Sequence, residues 1–384
     1  MTIEKYFSVS DVQTFLQCRE KWDLSSPNRK SYRHRATPRM YLTQGTALHH
    51  AIEAQERSSA GFSSVGPLKA AEDFLAQERL DRVEQIKRET GFEPWPTEMR
   101  EWDEKAEFTL SLVKQYFEHY GYDNPLADQG MEYLATEVPF KIDISELTGI
   151  AGAFFVGTFD GIAKDEMDNL WLVENKSYQS RPDLKDLRVH FQTTGYAVAW
   201  EMLTGIPLTG ALYNGVAKKL IKEPRVLKSG ALSTDVSQQT TLARYTAAIK
   251  RVGGNIADPK YAKILEKLEN IERQGDDRFF YRESFYFNET QTESWLREFK
   301  DIIHEMNDNP RIYRTVSFKG CGPMGADCWW QDICFAKHTG QDIDLTLEQR
   351  YEVGSYGTIE AVEGVEPFQV SSIEGLREAL RARV

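Results

Sequence analysis

Apolar residues recur at helical spacing through the first 125 residues, then alternate with polar ones from Tyr133 onward. Residues 7–23 predict one capped helix, with Ser10 at its N-cap, Asp11 in its first turn and Val12, Phe15 and Leu16 on its apolar face. Residues 43–58 predict a second helix with Ala47, Leu48, Ala51 and Ile52 inward. Two more follow at 67–90 and 101–120, parted by the breaker Gly91–Pro96. Three β-rich runs, at 133–144, 149–165 and 169–177, fit an antiparallel meander. Residues 181–205 turn helical, 208–218 and 279–288 read as further strands, and 229–240 as a polar loop. Residues 289–309 form an amphipathic pattern with Trp295, Phe299, Ile302, Ile303 and Met306 inward, and 372–384 predict a short terminal helix. Strands, a helix and strands again imply an α/β core, a mixed sheet flanked by helices behind a helical N-terminal region.

Composition narrows the class. A chain of 384 residues with 41% hydrophobic and 12% aromatic content buries a sizeable core, which excludes global disorder. No apolar run approaches the roughly 20 residues that span a bilayer. Residues 1–13 lack a basic-then-apolar signal pattern, so a soluble, intracellular protein is expected. The net charge of −12 argues against a nonspecific polyanion binder. That charge is uneven. Seven Lys or Arg between Arg19 and Arg39 face only Glu20 and Asp23, and five between Lys218 and Lys228 face only Glu223. Each stretch is either a phosphate-facing patch or a solvated loop. Residues 340–370 are acidic.

Candidate chemistry gathers between Val156 and Ser177. Glu174 and Lys176 are two apart on a strand and share a face, and a hairpin brings Asp160 alongside. Two carboxylates and a lysine on one sheet edge can hold a hard divalent cation and order a water. His49, on a helix face with Glu53, can supply one further ligand. Gln192 and Tyr196 share a helix face and can hydrogen-bond a phosphate or base edge, or stack on a base. The four cysteines are Cys18, Cys321, Cys328 and Cys334, the last three spaced C-x6-C-x5-C. In a reducing compartment such a set more often holds a metal or cluster than disulfides. The long spacings suit zinc less well than an iron–sulfur cluster, without excluding zinc.

Taken in order, F-L-Q-C at 15–18, G-T-A-L-H at 45–49, G-T-F-D at 157–160, V-E-N-K at 173–176, Q-T-T-G-Y at 192–196 and the late cysteines resemble RecB-type nucleases of the PD-(D/E)XK superfamily. The resemblance is to the iron–sulfur branch that includes the AddB nuclease and the CRISPR-adaptation exonucleases. It implies a restriction-endonuclease-like α/β fold over residues 1–338, with a catalytic core at about 130–220 and an acidic extension at 339–384. It implies that His49, Asp160, Glu174 and the Asn175 carbonyl hold Mg2+ or Mn2+, and that Lys176 is the catalytic lysine. Gln192 and Tyr196 then contact DNA, and Cys18, Cys321, Cys328 and Cys334 hold a 4Fe-4S cluster. The expected activity is metal-dependent hydrolysis of phosphodiester bonds in DNA single strands or duplex ends, as an exonuclease, in recombination, repair or phage DNA processing. A recombination or replication protein is the expected partner. No G-x-x-x-x-G-K-[ST] segment occurs, which fits a stand-alone nuclease of the kind bacteriophages encode, placed in the bacterial cytoplasm. The alternative is an inactive nucleic-acid-binding or adaptor protein on the same fold, with zinc on the four cysteines.

Overall fold

The computed structural model describes residues 3–354 except 35–39, 62, 180–186, 188, 276, 316–320 and 322–327. Strand β1 (Lys5–Phe7) leads into α1 (Val9–Gln17) and α2 (Arg19–Ser25), followed by β2 (Tyr32–His34). Three long helices come next: α3 (Met40–Ser59), α4 (Pro67–Thr90) and α5 (Pro96–Tyr120). Strand β3 (Met131–Asp143), the single turn α6 (Ser145–Thr148), β4 (Ala153–Asp165) and β5 (Leu170–Tyr178) form the meander. Helix α7 (Phe191–Thr204) crosses to β6 (Gly210–Ala217). Helices α8 (Leu242–Arg251) and α9 (Ala262–Arg273) precede β7 (Phe280–Tyr286) and α10 (Glu289–Asn307). The described chain closes with α11 (Gln331–Thr339), α12 (Ile343–Arg350) and β8 (Tyr351–Val353). The expected helix at 372–384 and the acidic residues after 354 lie outside the described residues.

The expected helix over 7–23 is two helices. Cys18 leaves helical geometry with φ −160° and ψ 109°, ending α1 and starting α2. The N-cap is Ser8 rather than Ser10, because its side chain accepts the Asp11 amide at 3.1 Å and Val9 is already buried as the first helical residue. The other expected elements inside the described residues appear close to their anticipated bounds, except that the helix expected from 181 begins at Phe191. Helices α8 and α9, which the sequence reading left out, build a small apolar cluster of Tyr245, Ile249, Tyr261 and Leu265.

The main sheet runs β1-β4-β5-β6-β7, with β3 on the other edge of β4. The β3–β4 and β4–β5 pairings are antiparallel, β5–β6 is parallel across the α7 crossover, and β6–β7 is antiparallel. Leu170 and Leu172 of β5 face a core with α1, α7 and α10, where Trp295 stacks on Phe299 at 4.5 Å. Gly195 lets α7 approach that stack, since a Cβ there would run into Trp295. Against the opposite face lie α3 and α5, through Leu48, Ile52, Leu112 and Tyr116. Each large side chain buried in these two layers contributes about 1.5–3 kcal/mol relative to exposure. A mixed sheet between helical layers is the arrangement the hydrophobic pattern implied.

Inside α1, the Asp11 carboxylate accepts from the Trp22 indole at 3.2 Å and the Ser26 hydroxyl at 3.0 Å, tying α1 to α2. Burial dominates those two bonds and pushes its pKa up to about 7. An unfolded aspartate titrates near about 3.9, so the native state binds the extra proton between the two values. This contribution to stability is full below about pH 4 and is lost as pH rises through about 7. Thermal unfolding followed by circular dichroism should therefore show wild-type stability falling from about pH 4 to 7, and Asp11→Asn should flatten that slope.

Candidate active site

One edge of β4 is filled by β3, so both β1 and β5 pair with the other. β1 does so at Ala153–Phe155 and β5 at Gly161–Lys164. Among the described residues, 156–160 therefore lack a strand on that edge, and β4 and β5 part at Asp160. Its carboxylate fills the opening and accepts the Asn175 backbone N–H at 2.9 Å. The hairpin thus brings Asp160 beside Glu174 and Lys176, as the E-N-K spacing required.

His49 comes from α3, which packs closely on β5. Gly45, one helical turn earlier, leaves room for Ser177, whose hydroxyl a Cβ would meet at 3.2 Å. His49 Nδ1 lies 2.8 Å from Glu137 Oε1, and Nε2 lies 3.1 Å from the Asn175 carbonyl and 3.9 Å from Asp160. Both ring nitrogens face oxygen, so only the doubly protonated imidazolium donates at both. Burial opposes that charge, but Asp160 and Glu137 outweigh it and lift the pKa to about 9. Glu53, the expected face partner, pairs with Arg57 at 3.5 Å instead.

Glu174 is fully buried and ion-paired with the Lys176 ammonium. Burial and the Asp160 charge raise the Glu174 pKa, and Lys176 opposes them. For Lys176, burial is outweighed by Glu174 and Asp160, so the ammonium holds its proton. Glu174 Oε2 is buried and accepts no hydrogen bond among the described residues. From α7, Gln192 Nε2 donates to the Tyr196 hydroxyl at 3.3 Å. The Tyr196 ring is packed edge-on against Phe140 and Phe159, so it is not a base-stacking surface. Burial, with Glu174 and Asp160, keeps its hydroxyl protonated as a donor.

Two site residues escaped the sequence reading. Glu137 sits on β3 at φ +49°, a conformation that costs a non-glycine residue roughly 1 kcal/mol or more. A register count could have found it. Asp143 pairs with Phe154, and six residues further along each arm Glu137 comes opposite Asp160. His190, just before α7, feels the charges of Glu174 and Lys176, although burial is the larger influence and lowers its pKa. Its sequence context carried no signal.

His49, Glu137 and Asp160 offer ligand atoms all within 4.8 Å of one another, and the Asn175 carbonyl faces the same space. Imidazole nitrogen and carboxylate oxygens suit a hard or borderline divalent ion, and the unpaired Glu174 oxygen is a further donor without a partner. The four thiols form no such close group among the described residues. Cys18 is at the α1–α2 break, where Thr315 N–H donates to its Sγ at 3.4 Å. Cys334 is on α11, Cys328 just before it, and Cys321 is exposed. Burial raises the Cys328 and Cys334 thiols, and the charges of Cys18 and Cys321 add to both. Part of each basic stretch is paired, Arg29 and Lys30 with Asp23 and Arg225 with Asp235, while Glu223, the acid inside the second stretch, takes Arg244 and Arg251 from outside it. No helix among the described residues is long and apolar enough to cross a membrane.

The model of the PD-(D/E)XK nuclease superfamily matches residues 6–335 of the chain. No curated protein matches it. The site geometry carries a solution test of its own. A cation bound at His49 must displace a proton below about pH 9. Calorimetric titration with Mn2+ should show affinity rising with pH, by up to about tenfold per unit, between about pH 6.5 and 8.5. Glu137→Gln, which removes one ligand and one source of the raised pKa, should weaken binding and flatten that dependence.

Proposed function

The chain belongs to the PD-(D/E)XK nuclease superfamily, and from that footing we propose that it is a divalent-metal-dependent deoxyribonuclease, acting as an exonuclease on DNA single strands or duplex ends. The observation that carries this reading is the convergence of His49, Glu137 and Asp160 beside the buried Glu174–Lys176 pair. His49, Glu137, Asp160 and the Asn175 carbonyl would hold Mg2+ or Mn2+, with Glu174 completing the set. A bound divalent ion supplies Lewis acidity, offsetting phosphate charge and lowering the pKa of water. Lys176, kept as an ammonium by Glu174 and Asp160, orients the attacking water and offsets charge that builds on the phosphoryl oxygens. The Gln192 amide and the Tyr196 hydroxyl donate to the scissile strand, positioning it for in-line attack. Recombination, repair or phage DNA processing in a bacterial cytoplasm is the setting in which such an enzyme works.

On the same footing, Cys18, Cys321, Cys328 and Cys334 bind a 4Fe-4S cluster that staples the α1–α2 break to the segment before α11. Support comes from the reach of Cys18 and Cys321 to both Cys328 and Cys334, and from four thiols with no disulfide among them. The role assigned to it is a structural staple.

Lys176→Ala and Asp160→Ala should each lower the rate of DNA degradation by about a hundredfold or more while leaving the circular dichroism spectrum unchanged. Wild-type digestion by either variant ends the nuclease assignment, and tight binding without cleavage by the wild type would favour an inactive binding protein. End-labelled linear DNA should be consumed while circular single-stranded DNA resists. Anaerobically purified protein should absorb near about 400 nm through sulfur-to-iron charge transfer, and Cys334→Ser should lose that band. A colourless protein carrying stoichiometric zinc would replace the cluster with a zinc site.

A further inference from the structure

The Asn175 side chain leaves the sheet on the face opposite Glu174 and Lys176 and ends in a buried polar chain that the reaction above does not use. Asn214 of β6 donates through Nδ2 to Asn175 Oδ1 at 2.8 Å and to the Tyr116 hydroxyl at 2.8 Å. Arg282 of β7 donates through Nε to Asn214 Oδ1 at 2.9 Å and through Nη2 to the Tyr116 hydroxyl at 3.2 Å. Its Nη1 reaches Asp128, in the turn before β3, and the guanidinium lies over the Tyr120 ring at 3.5 Å. Almost no water reaches this chain. Asn175 is 1% exposed, Asn214 0%, and the Arg282 side chain 3%.

A buried guanidinium costs several kcal/mol unless its donors are matched, so its presence behind the sheet calls for a reason. The polarity of the chain gives one. Arginine only donates, so Asn214 must turn its oxygen to Arg282 and its nitrogen to Asn175, and Asn175 must present its own oxygen. One amide conformation is thereby selected at each asparagine. The backbone of that same Asn175 serves the cation site, with its N–H on Asp160 and its carbonyl at His49. Fixing the side chain therefore fixes the peptide planes on either side.

We propose that Arg282 and Asn214 are positioning residues that act through Asn175 to orient its carbonyl and the Asp160 carboxylate, and so set cation affinity and turnover without touching DNA. The turnover part rests on the nuclease reading, while the binding and exchange measurements do not.

Asn214→Leu removes all three hydrogen bonds of the amide at similar volume. Arg282→Lys keeps the charge but cannot fork. Asn214→Asp keeps an oxygen for Arg282 while the Asn175 amide turns over to donate. For Asn214→Leu and Arg282→Lys, Mn2+ affinity by calorimetry should fall about tenfold or more and kcat should fall with it. KM for DNA should stay within about twofold. Amide exchange of the 170–178 peptide in the metal-free protein should quicken. Asn214→Asp should recover most of each loss. Folded variants with wild-type Mn2+ affinity and exchange overturn the proposal. So does a rise in KM at unchanged kcat, which would make Arg282 a DNA contact. If Asn214→Leu does not fold, Arg282→Lys and Asp128→Asn carry the same measurements. If the wild type binds Mn2+ but cuts no DNA, the nuclease reading fails and the binding and exchange comparisons still decide the network.

Discussion

The hydrogen bond from the Asn175 backbone to the Asp160 carboxylate governs the architecture of the site. That N–H points toward β4, where an uninterrupted antiparallel ladder would hand it to a main-chain carbonyl. A side-chain carboxylate takes it instead. The exchange replaces a neutral ladder bond with a charge-assisted one and stops the two strands from zipping further. The opening this leaves is where His49 and Glu137 meet Asp160, next to Glu174 and Lys176. Without that one substitution of acceptor, the sheet would be a closed floor, with its charged residues on separate faces.

Charge balance at the opening is the second constraint. Among the described residues, Glu137, Asp160 and Glu174 confront Lys176 and the His49 imidazolium. Once a divalent ion takes the place of the His49 proton, three carboxylates stand against one ammonium and two ionic charges, which balances the site. A phosphate then approaches neutral ground rather than a net negative patch. In a chain whose overall charge repels DNA, a cation bound here would, on the nuclease reading proposed above, serve substrate approach as well as chemistry. It also fits an acidic protein whose Arg29, Lys30 and Arg225 are already paired with Asp23 and Asp235.

What the sequence disclosed follows from periodicity. Glu174 and Lys176 were legible because a strand repeats every two residues and Asp160 because a hairpin sets it alongside, whereas His49 stood out through the G-T-A-L-H resemblance rather than through the apolar stripe of Ala47, Leu48, Ala51 and Ile52. The helical layers and the mixed sheet were legible for the same reason. Glu137 was hidden because its role depends on hairpin register, a property of two segments together, and because its positive φ obeys no local preference. The break at Cys18 was hidden because nothing in residues 15–21 is a poor helix former, so tertiary packing overrode propensity. Arg282, Asn214 and Tyr116 lie 68 and 166 residues apart along the chain in their paired contacts, and no window of sequence joins them. The acids of α12 carry no buried residue, yet that helix leads the chain into β8.

Strand β8 pairs antiparallel with β2, and Ser31 and Gly354 exchange hydrogen bonds across 323 positions of sequence. Bringing two points so far apart together costs about 5 kcal/mol of loop-closure entropy. The Leu24, Ile333 and Tyr351 contacts and the two-strand ladder meet that cost on their own. Cys328 and Cys334, at the start of α11, are then held near Cys18 as tethered neighbours, at an effective concentration set by a short span rather than by the whole polypeptide. In this chain the apolar contacts of α2, α11 and β8, rather than the thiols, hold the two ends of the sequence side by side.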